Sequence, residues 1–304
     1  MMLASKENAA KLAIASVSFL VLIKVVASIL TGSISILADA VHSSLDLIAA
    51  FITFIGVRVS GRPADKQHPF GHGKAENVTS VVVVGLIFTA AGIIVYTAVK
   101  RLIAGASLEL IGIGIYVTAA AIVINILISR YLLRVSRSTD SIALEAEAAH
   151  LFSDVLSSCA VLVGLIVIRV TGLNIADPIV ALLVALVILK VGYDVLRKSF
   201  GGLIDVKLPE AEENTIRLCI MEHGSELVGF HELRTRKAGS QRFIDLHLVV
   251  PKNASVKKAH RMCDHLEQDI ENRLPYSSVT IHVEPCSIEC DQCYVSCNLR
   301  KRSP

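Results

Sequence analysis

The stretch Leu37-Ala38-Asp39-Ala40-Val41-His42-Ser43-Ser44-Leu45-Asp46 places a histidine and an aspartate inside an apolar segment long enough to cross a membrane. The His-x-x-x-Asp spacing puts both side chains on one helix face, a turn apart. A second apolar segment repeats it at His150 and Asp154. Because ionisable residues are costly in hydrocarbon, they indicate function. Two imidazoles and two carboxylates suit tetrahedral Zn²⁺. For one pair alone, hydrogen bonding within a helix bundle is an equal alternative. The repetition favours a metal site of His42, Asp46, His150 and Asp154.

Around these motifs the chain predicts an α-helical membrane protein with six transmembrane helices of about 20 residues each. The six apolar segments are approximately Ala10–Leu30, Ile36–Val59, Val78–Val99, Leu110–Leu132, Ala146–Val170 and Pro178–Leu196. Of the 304 residues 53% are hydrophobic, and residues 1–200 hold 28 charged side chains against 29 in the last 104. This distribution excludes an ordinary soluble protein and predicts a membrane domain over residues 1–200.

Basic residues in the loops predict the orientation of the helices. Nine lie after the second, fourth and sixth segments: Arg58, Arg62, Lys66, Lys74, Arg130, Arg134, Arg137, Arg197 and Lys198. Three lie on the opposite side: Lys100, Arg101 and Arg169. The positive-inside rule therefore predicts that both termini are cytoplasmic. The net charge of +3, without a basic run interleaved with aromatic residues, argues against a nucleic-acid partner.

The rest of the chain predicts a small cytoplasmic α/β domain over residues 201–285, followed by a Cys-rich tail over residues 286–304. Its predicted helices are Pro209–His223 and Ala254–Arg273, and its predicted strands are Leu227–Arg236, Arg242–Val250 and Ser278–Val283. A domain of about 80 residues has only a marginal core, so we expect it to pair with a second copy.

Two further groups of residues have the composition of metal sites. In the loop after the second segment, Asp65, His68 and His72 form Asp-x-x-His-x-x-x-His beside flexible glycines; a solvated polar loop is the alternative. In the soluble domain, His231, His247 and His282 fall on the three predicted strands. His260 near the start of the second helix and the carboxylate of Glu284 complete this predicted cytoplasmic-domain site. Ordinary surface positions are expected for His223 and His265.

The cysteines divide into two groups. Cys159, Cys219 and Cys263 have the setting of small buried apolar residues. Four others form Cys-x₃-Cys-x₂-Cys-x₃-Cys in the tail: Cys286, Cys290, Cys293 and Cys297. Four thiolates suit one Zn²⁺ or an iron–sulfur cluster, but the same spacing also aligns an apolar stripe on a helix, and both interpretations stay open. Disulfides are the weaker interpretation in a cytoplasmic segment.

Taken together, these motifs closely resemble the cation diffusion facilitator family, near its bacterial zinc/iron-efflux branch. The resemblance covers about Lys11 to Pro285 and rests on four stretches: Leu37–Asp46, His68-Pro69-Phe70-Gly71-His72-Gly73-Lys74-Ala75-Glu76, His150-x-x-x-Asp154, and His231-Glu232-Leu233-Arg234-Thr235-Arg236. It implies a homodimer of six-span protomers with cytoplasmic ferredoxin-like (metallochaperone-like) domains, exporting divalent metal in exchange for protons.

The resemblance also implies roles for individual residues. It assigns the transport, loop and cytoplasmic-domain sites to the residues named above, and a charge interlock between the two domains to Lys74 and Asp205. Glu284 departs from the Asp common in bacterial relatives, which puts its coordination in question. The family resemblance does not supply the cysteine tail.

The expected function is Zn²⁺/H⁺ antiport out of the cytoplasm by alternating access, with Zn²⁺ both as substrate and as a structural or regulatory ion. The His-Asp/His-Asp arrangement resembles zinc-preferring members, while Fe²⁺, Cd²⁺, Co²⁺, Ni²⁺ and Mn²⁺ are alternatives. A non-transporting membrane metal sensor is a further alternative. An enzyme is not expected, because the sequence has no His-Glu-x-x-His motif and shows no spare general base beside the four ligands. The loop Ser136–Ser141 lacks a His-rich insert, which favours the inner membrane of a prokaryote.

Overall fold

The computed structural model describes residues 2–31, 34–104, 112–171, 175–223 and 227–286. The chain separates into two compact units, Met1–Leu203 and Ile204–Pro304. Each unit has its own apolar core and is described by itself.

The first unit is a bundle of six long helices, as the hydropathy predicts. They are α1 Met2–Thr31, α2 Ile34–Ser60, α3 Lys74–Ala104, α4 Gly112–Thr139, α5 Ile142–Thr171 and α6 Ala176–Leu203. Among the described residues, all six are long and apolar enough to cross a membrane. Several helices extend beyond the predicted apolar segments, because backbone hydrogen bonding continues into polar turns outside the hydrocarbon. Helix α5, for example, begins at Ile142 rather than at Ala146.

Two apolar clusters hold the bundle together, and α5 contributes to both. One joins α1, α2, α4 and α5 around residues such as Val57, Leu132 and Leu151. The other joins α3, α5 and α6 around residues such as Ile87 and Ile188. Because α5 packs into both clusters, it forms the centre of the bundle and carries its polar residues into the interior.

A buried ion pair connects the helix ends at one side of this unit. Nζ of Lys6 in α1 lies 2.8 Å from Oε1 of Glu76 in α3. The same carboxylate accepts hydrogen bonds from the hydroxyls of Ser60 (3.0 Å) and Ser141 (2.7 Å), next to the ends of α2 and α5. Glu76 therefore links four helices through one side chain.

The second unit is an α/β domain with helices on one face of a three-stranded sheet. Its elements are α7 Glu210–Glu222, β1 Gly229–Ala238, β2 Gln241–Val250, α8 Val256–Arg273 and β3 Ser277–Pro285. The strand order is β1-β2-β3, with β1 antiparallel and β3 parallel to β2. Each predicted helix and strand is present, with ends shifted by a few residues. The predicted fold class, six membrane helices followed by a small α/β domain, is confirmed.

Alternation along β2 decides which side chains face the helices. Ile244, Leu246 and Leu248 are buried with α7 and α8 in the core of this unit. Because successive side chains in a strand point to opposite faces, His247 lies on the face away from the helices.

Candidate metal centres

The two His-x-x-x-Asp motifs meet where α2 and α5 approach each other. Ligand atoms of His42, Asp46 and Asp154 all lie within 4.8 Å of one another. Nε2 of His150 lies 3.4 Å from Oδ1 of Asp46. Three of the four residues that the sequence predicts as a transport site thus lie at separations that a small cation can bridge, and His150 is next to this group through its contact with Asp46.

The polar side chains of this site are buried, so their hydrogen bonding indicates whether the site is complete without a ligand. His150 and Asp46 are only 4% and 7% exposed. Among the described residues, neither ring nitrogen of His150 has a hydrogen-bond partner, and neither does Oδ2 of Asp154. Buried polar atoms are normally paired, since leaving them unpaired costs free energy. Nε2 of His150 lies at ion-pair distance from Asp46 but outside hydrogen-bonding geometry, and Nδ1 has no partner among the described residues. Pairing within the bundle therefore engages this ring only in part, and a bound cation would complete its coordination.

A cavity of about 80 Å³ opens beside these residues. Its lining includes His42, Asp46 and Asp154, together with side chains of α1 and α4. This is the volume of about two or three water molecules. The cavity can therefore hold a partly hydrated metal ion but not a larger solute.

Lys24 of α1 lines the same cavity, and the structure pairs it with a carboxylate. Its Nζ lies 2.9 Å from Oδ2 of Asp39 and donates a hydrogen bond of 2.7 Å to Oγ of Ser43. Asp39 therefore pairs with the Lys24 ammonium group and is not one of the predicted metal ligands.

Glu147 is a buried carboxyl that the sequence analysis overlooked. It lies one turn before His150 on α5 and is fully buried. Its Oε2 accepts a hydrogen bond of 3.0 Å from the Thr53 hydroxyl, and its Oε1 has no partner among the described residues. The sequence analysis did not consider this acid, although the i, i+3 spacing within α5 places it on the same helix face as His150.

The predicted loop residues also converge. Ligand atoms of Asp65, His68 and His72 lie within 4.8 Å of one another. Oδ1 of Asp65 accepts hydrogen bonds from the backbone N–H groups of His68 (2.7 Å) and Gln67 (2.8 Å). The bond from the His68 N–H holds the pKa of Asp65 below its ordinary value. Gly71 adopts a φ of 78°, which favours glycine and lets the loop turn back toward Asp65.

In the α/β unit, strand register places three histidines in one row. His231 pairs with His247, and His247 pairs with His282. Glu284 contacts this row through both oxygens: Oε1 lies 2.9 Å from Nδ1 of His247, and Oε2 lies 3.1 Å from Nε2 of His231. The His247 hydrogen bond, with that of His231, holds the pKa of Glu284 below its ordinary value. Glu284 therefore contacts the imidazoles of His231 and His247, although it occupies a position where bacterial relatives were expected to have Asp.

Two ligand triads result, and they share His247. One comprises His231, Glu232 and His247, and the other His247, His282 and Glu284. Sequence reasoning missed Glu232, because strict alternation would turn it to the opposite face from His231. A register irregularity between His231 and Arg234, with a φ of 50° at Glu232, brings this carboxylate to the histidine side.

Within one chain, the structure does not bring His260 to these triads. His260 lies in α8, and its Nδ1 is 3.6 Å from Oδ1 of Asp264 on the same helix. Because α8 covers the face opposite the histidine row, the sheet separates His260 from His247.

Comparison with known proteins decides the family. The family model for the cation efflux transmembrane domain matches residues 10–204, and that for the cation efflux protein cytoplasmic domain matches residues 208–286. The chain belongs to the cation diffusion facilitator family of cation efflux proteins.

Relatives of this cation efflux protein match over most of their length. The uncharacterized transporter sll1263 of Synechocystis is 38% identical over 263 residues, covering 86% of this chain and 85% of the relative. The cation-efflux pump FieF of Salmonella agona is 37% identical over 285 residues, covering 93% of each chain. Among solved structures, CzrB is 41% identical, covering 26% of this chain and 99% of its own, with a TM-score of 0.25. The metal-bound C-terminal domain of the CzcD transporter from Thermotoga maritima is 26% identical, covering 27% and 98%, with a TM-score of 0.25.

The cysteine tail of this cation efflux protein extends past the matched region. Cys286 follows β3, and its backbone N–H donates to the carbonyl of Val250 at 2.8 Å. Cys290, Cys293 and Cys297 lie outside the described residues. The tail site therefore stays a prediction.

The predicted charge interlock involves one residue from each unit. Nζ of Lys74, at the start of α3, donates a hydrogen bond of 3.2 Å to the Leu203 carbonyl. Oδ1 of Asp205 lies 3.5 Å from Nη1 of Arg236. Each contact lies within its own unit, and the pairing of Lys74 with Asp205 stays a prediction.

Proposed function

We propose that this protein exports Zn²⁺ from the cytoplasm in exchange for protons, by alternating access of a site formed by His42, Asp46, His150 and Asp154. The observation that carries the proposal is the meeting of two His-x-x-x-Asp motifs: ligand atoms of His42, Asp46 and Asp154 lie within 4.8 Å of one another beside a cavity, and Nε2 of His150 lies 3.4 Å from Oδ1 of Asp46. Membership of a cation efflux family supports transport as the activity.

The ligand chemistry supports zinc as the substrate. Two imidazole nitrogens and two carboxylate oxygens match the tetrahedral preference of Zn²⁺, whereas an oxygen-only set would favour Mn²⁺. Fe²⁺, Co²⁺, Ni²⁺ and Cd²⁺ are alternative substrates that accept imidazole ligands.

Proton coupling follows from the same ligands. A neutral imidazole binds zinc, but an imidazolium ion has no free lone pair. Metal entry therefore expels protons from His42 and His150, and protonation from the outside expels the metal. Under this mechanism the proton gradient drives export.

Helix packing supports a site that can open. Helix α2 packs more extensively on α1 and α3 than on α5, and α5 packs more extensively on α4 and α6 than on α2. The ligands thus come from two helices that are each held mainly by other neighbours. Motion of α2 relative to α5 would separate the ligands, and it would require repacking of the cluster that these two helices share with α1 and α4.

We assign transport to residues 1–200 and dimerisation with metal sensing to residues 201–285, in a homodimer in a prokaryotic inner membrane with both termini cytoplasmic. The triads of the α/β unit support binding of cytoplasmic Zn²⁺ as a structural or regulatory ion. These triads equally support the second candidate, a metal sensor that does not transport, and flux separates the two.

Flux in proteoliposomes tests the proposal. We expect Zn²⁺ flux that increases with an opposing pH gradient and is lost in Asp154→Ala. The control is Asp194→Ala, which removes an exposed carboxylate from α6 outside the ligand set. Flux of Fe²⁺, Mn²⁺ or Cd²⁺ in place of Zn²⁺ would correct the substrate. Folded protein that moves none of them would overturn transport in favour of the sensor.

A further inference from the structure

A third group of potential ligands lies between the two helices of the α/β unit, away from the histidine row. It comprises Cys219 in α7, His223 at the C-terminal cap of α7, and Asp269 in α8. Their ligand atoms lie within 4.8 Å of one another. This group is separate from the triads, because α7 and α8 cover the opposite face of the sheet.

The hydrogen bonding of His223 specifies how its ring is oriented. Nδ1 lies 2.9 Å from the backbone carbonyl oxygen of Cys219. Since a carbonyl only accepts, Nδ1 carries the hydrogen and donates it. In the neutral ring Nε2 then presents a lone pair. Donation from one nitrogen to a backbone carbonyl is the arrangement that orients most metal-binding histidines.

The lone pair of Nε2 faces another acceptor. Oδ2 of Asp269 lies 3.2 Å from Nε2 of His223. Two acceptors at this distance need a proton or a metal ion between them. Ligand atoms bound to tetrahedral zinc at 2.0–2.2 Å lie about 3.3–3.6 Å apart, close to the separation found here.

The thiol of Cys219 distinguishes this group from a simple His–Asp ion pair. Cys219 is fully buried, and its sulfur is directed to the two polar ligands at the edge of the core. Arg273, the nearby cation, is paired with Glu222. Burial raises the pKa of the Cys219 thiol, so a metal must displace its proton to bind.

We propose that Cys219, His223 and Asp269 form a metal site that binds a thiophilic divalent cation, Zn²⁺ or Cd²⁺, with a water molecule as the fourth ligand. Thiolate, imidazole and carboxylate are all zinc ligands, and the sulfur adds a preference for soft ions that the nitrogen/oxygen sites lack. A bound ion would link the C-terminal end of α7 to α8. The proposal does not depend on transport.

Cadmium absorption tests this site without a flux measurement, because cadmium–thiolate bonds absorb in the ultraviolet and bonds to imidazole or carboxylate do not. The protein is the full chain in detergent under reducing conditions, with Cys286, Cys290, Cys293 and Cys297 replaced by serine. We expect the thiolate band to saturate, as Cd²⁺ is added, at the intensity of one thiolate-bound Cd²⁺ per chain, and added Zn²⁺ to remove it.

Two pairs of variants decide the outcome. Cys219→Ser should abolish the band, and Cys263→Ser, the matched buried cysteine in α8, should retain it. His223→Gln should weaken Cd²⁺ binding by about tenfold or more, and Glu222→Gln should not. A band that survives Cys219→Ser, or an affinity unchanged in His223→Gln, would overturn the proposal and leave a protonated His223 paired with Asp269.

Discussion

Nε2 of His150 lies 3.4 Å from Oδ1 of Asp46, so a histidine of α5 contacts the aspartate of the matching motif on α2. The two motifs are about a hundred residues apart in the chain, yet the structure brings them into contact, and we propose that they form one site. Each helix contributes one imidazole and one carboxylate, and relative motion of the helices alone would dismantle the ligand set.

Asp46→Asn should abolish tight Zn²⁺ binding at this site. An amide keeps the shape but loses the charge that stabilises the bound cation. Replacing a residue that only hydrogen-bonds to a metal ligand lowers metal affinity by about 10–100-fold. Loss of a direct ligand should lower the affinity at least as much. Isothermal titration in detergent measures it, with Asp194→Asn as the control. Equal affinities in the two variants would remove Asp46 from the ligand set.

Asp65→Asn should empty the loop site without unfolding the loop. The amide oxygen can still accept the backbone N–H groups of Gln67 and His68, while the charge that binds metal is gone. Metal analysis should show one ion fewer per chain, with Lys66→Gln unchanged. Because the hydrogen bond from the His68 backbone N–H holds the pKa of Asp65 below its ordinary value, this carboxylate should stay ionised as the pH falls through the ordinary aspartate range.

His247→Ala should disrupt both triads of the α/β unit, since each uses this imidazole. His231→Ala and His282→Ala should each disrupt one. Zinc stoichiometry by native mass spectrometry distinguishes the three variants. If dimer geometry in the His231→Ala/His282→Ala protein keeps its zinc dependence, the proposed role of these triads in the dimer is wrong.

Gly56→Ala should destabilise the membrane unit, although alanine is the better helix former by about 1 kcal/mol. A Cβ at Gly56 would lie 2.1 Å from Oγ1 of Thr79, where α2 and α3 approach closely. Gly85→Ala is the matched control, because a Cβ there meets no described atom within 4 Å. Thermal unfolding in detergent should give opposite signs for the two variants. Equal shifts would contradict the close approach.

Glu76→Gln should destabilise the protein more than the double variant Lys6→Met/Glu76→Gln. The single change removes the carboxylate from a buried ion pair, which costs about 3–5 kcal/mol, and the double change removes both charges. Chemical unfolding of the three proteins measures the difference. A double variant less stable than the single would show that Lys6 does not depend on Glu76.

Local periodicity was sufficient to predict the elements of this fold. Six apolar segments correspond to six helices because length and hydropathy are properties of contiguous residues. The sequence similarly placed His231, His247 and His282 on three predicted strands, and the register of the sheet sets them in one row. The His-x-x-x-Asp motifs could be recognised because i, i+4 neighbours share a helix face in any structure.

Other features depended on contacts between distant segments. The sheet places His260 on the face away from the histidine row. A local irregularity in β1 turns Glu232 toward the histidine row. In the sequence, His223 has the setting of a surface residue and Cys219 has the setting of a core residue. Asp269 lies close to both because α7 packs on α8. The sequence by itself determined the elements and the ligands within one helix turn or one strand. Tertiary packing decided which elements face each other, because that depends on burying apolar surface from the whole chain at once.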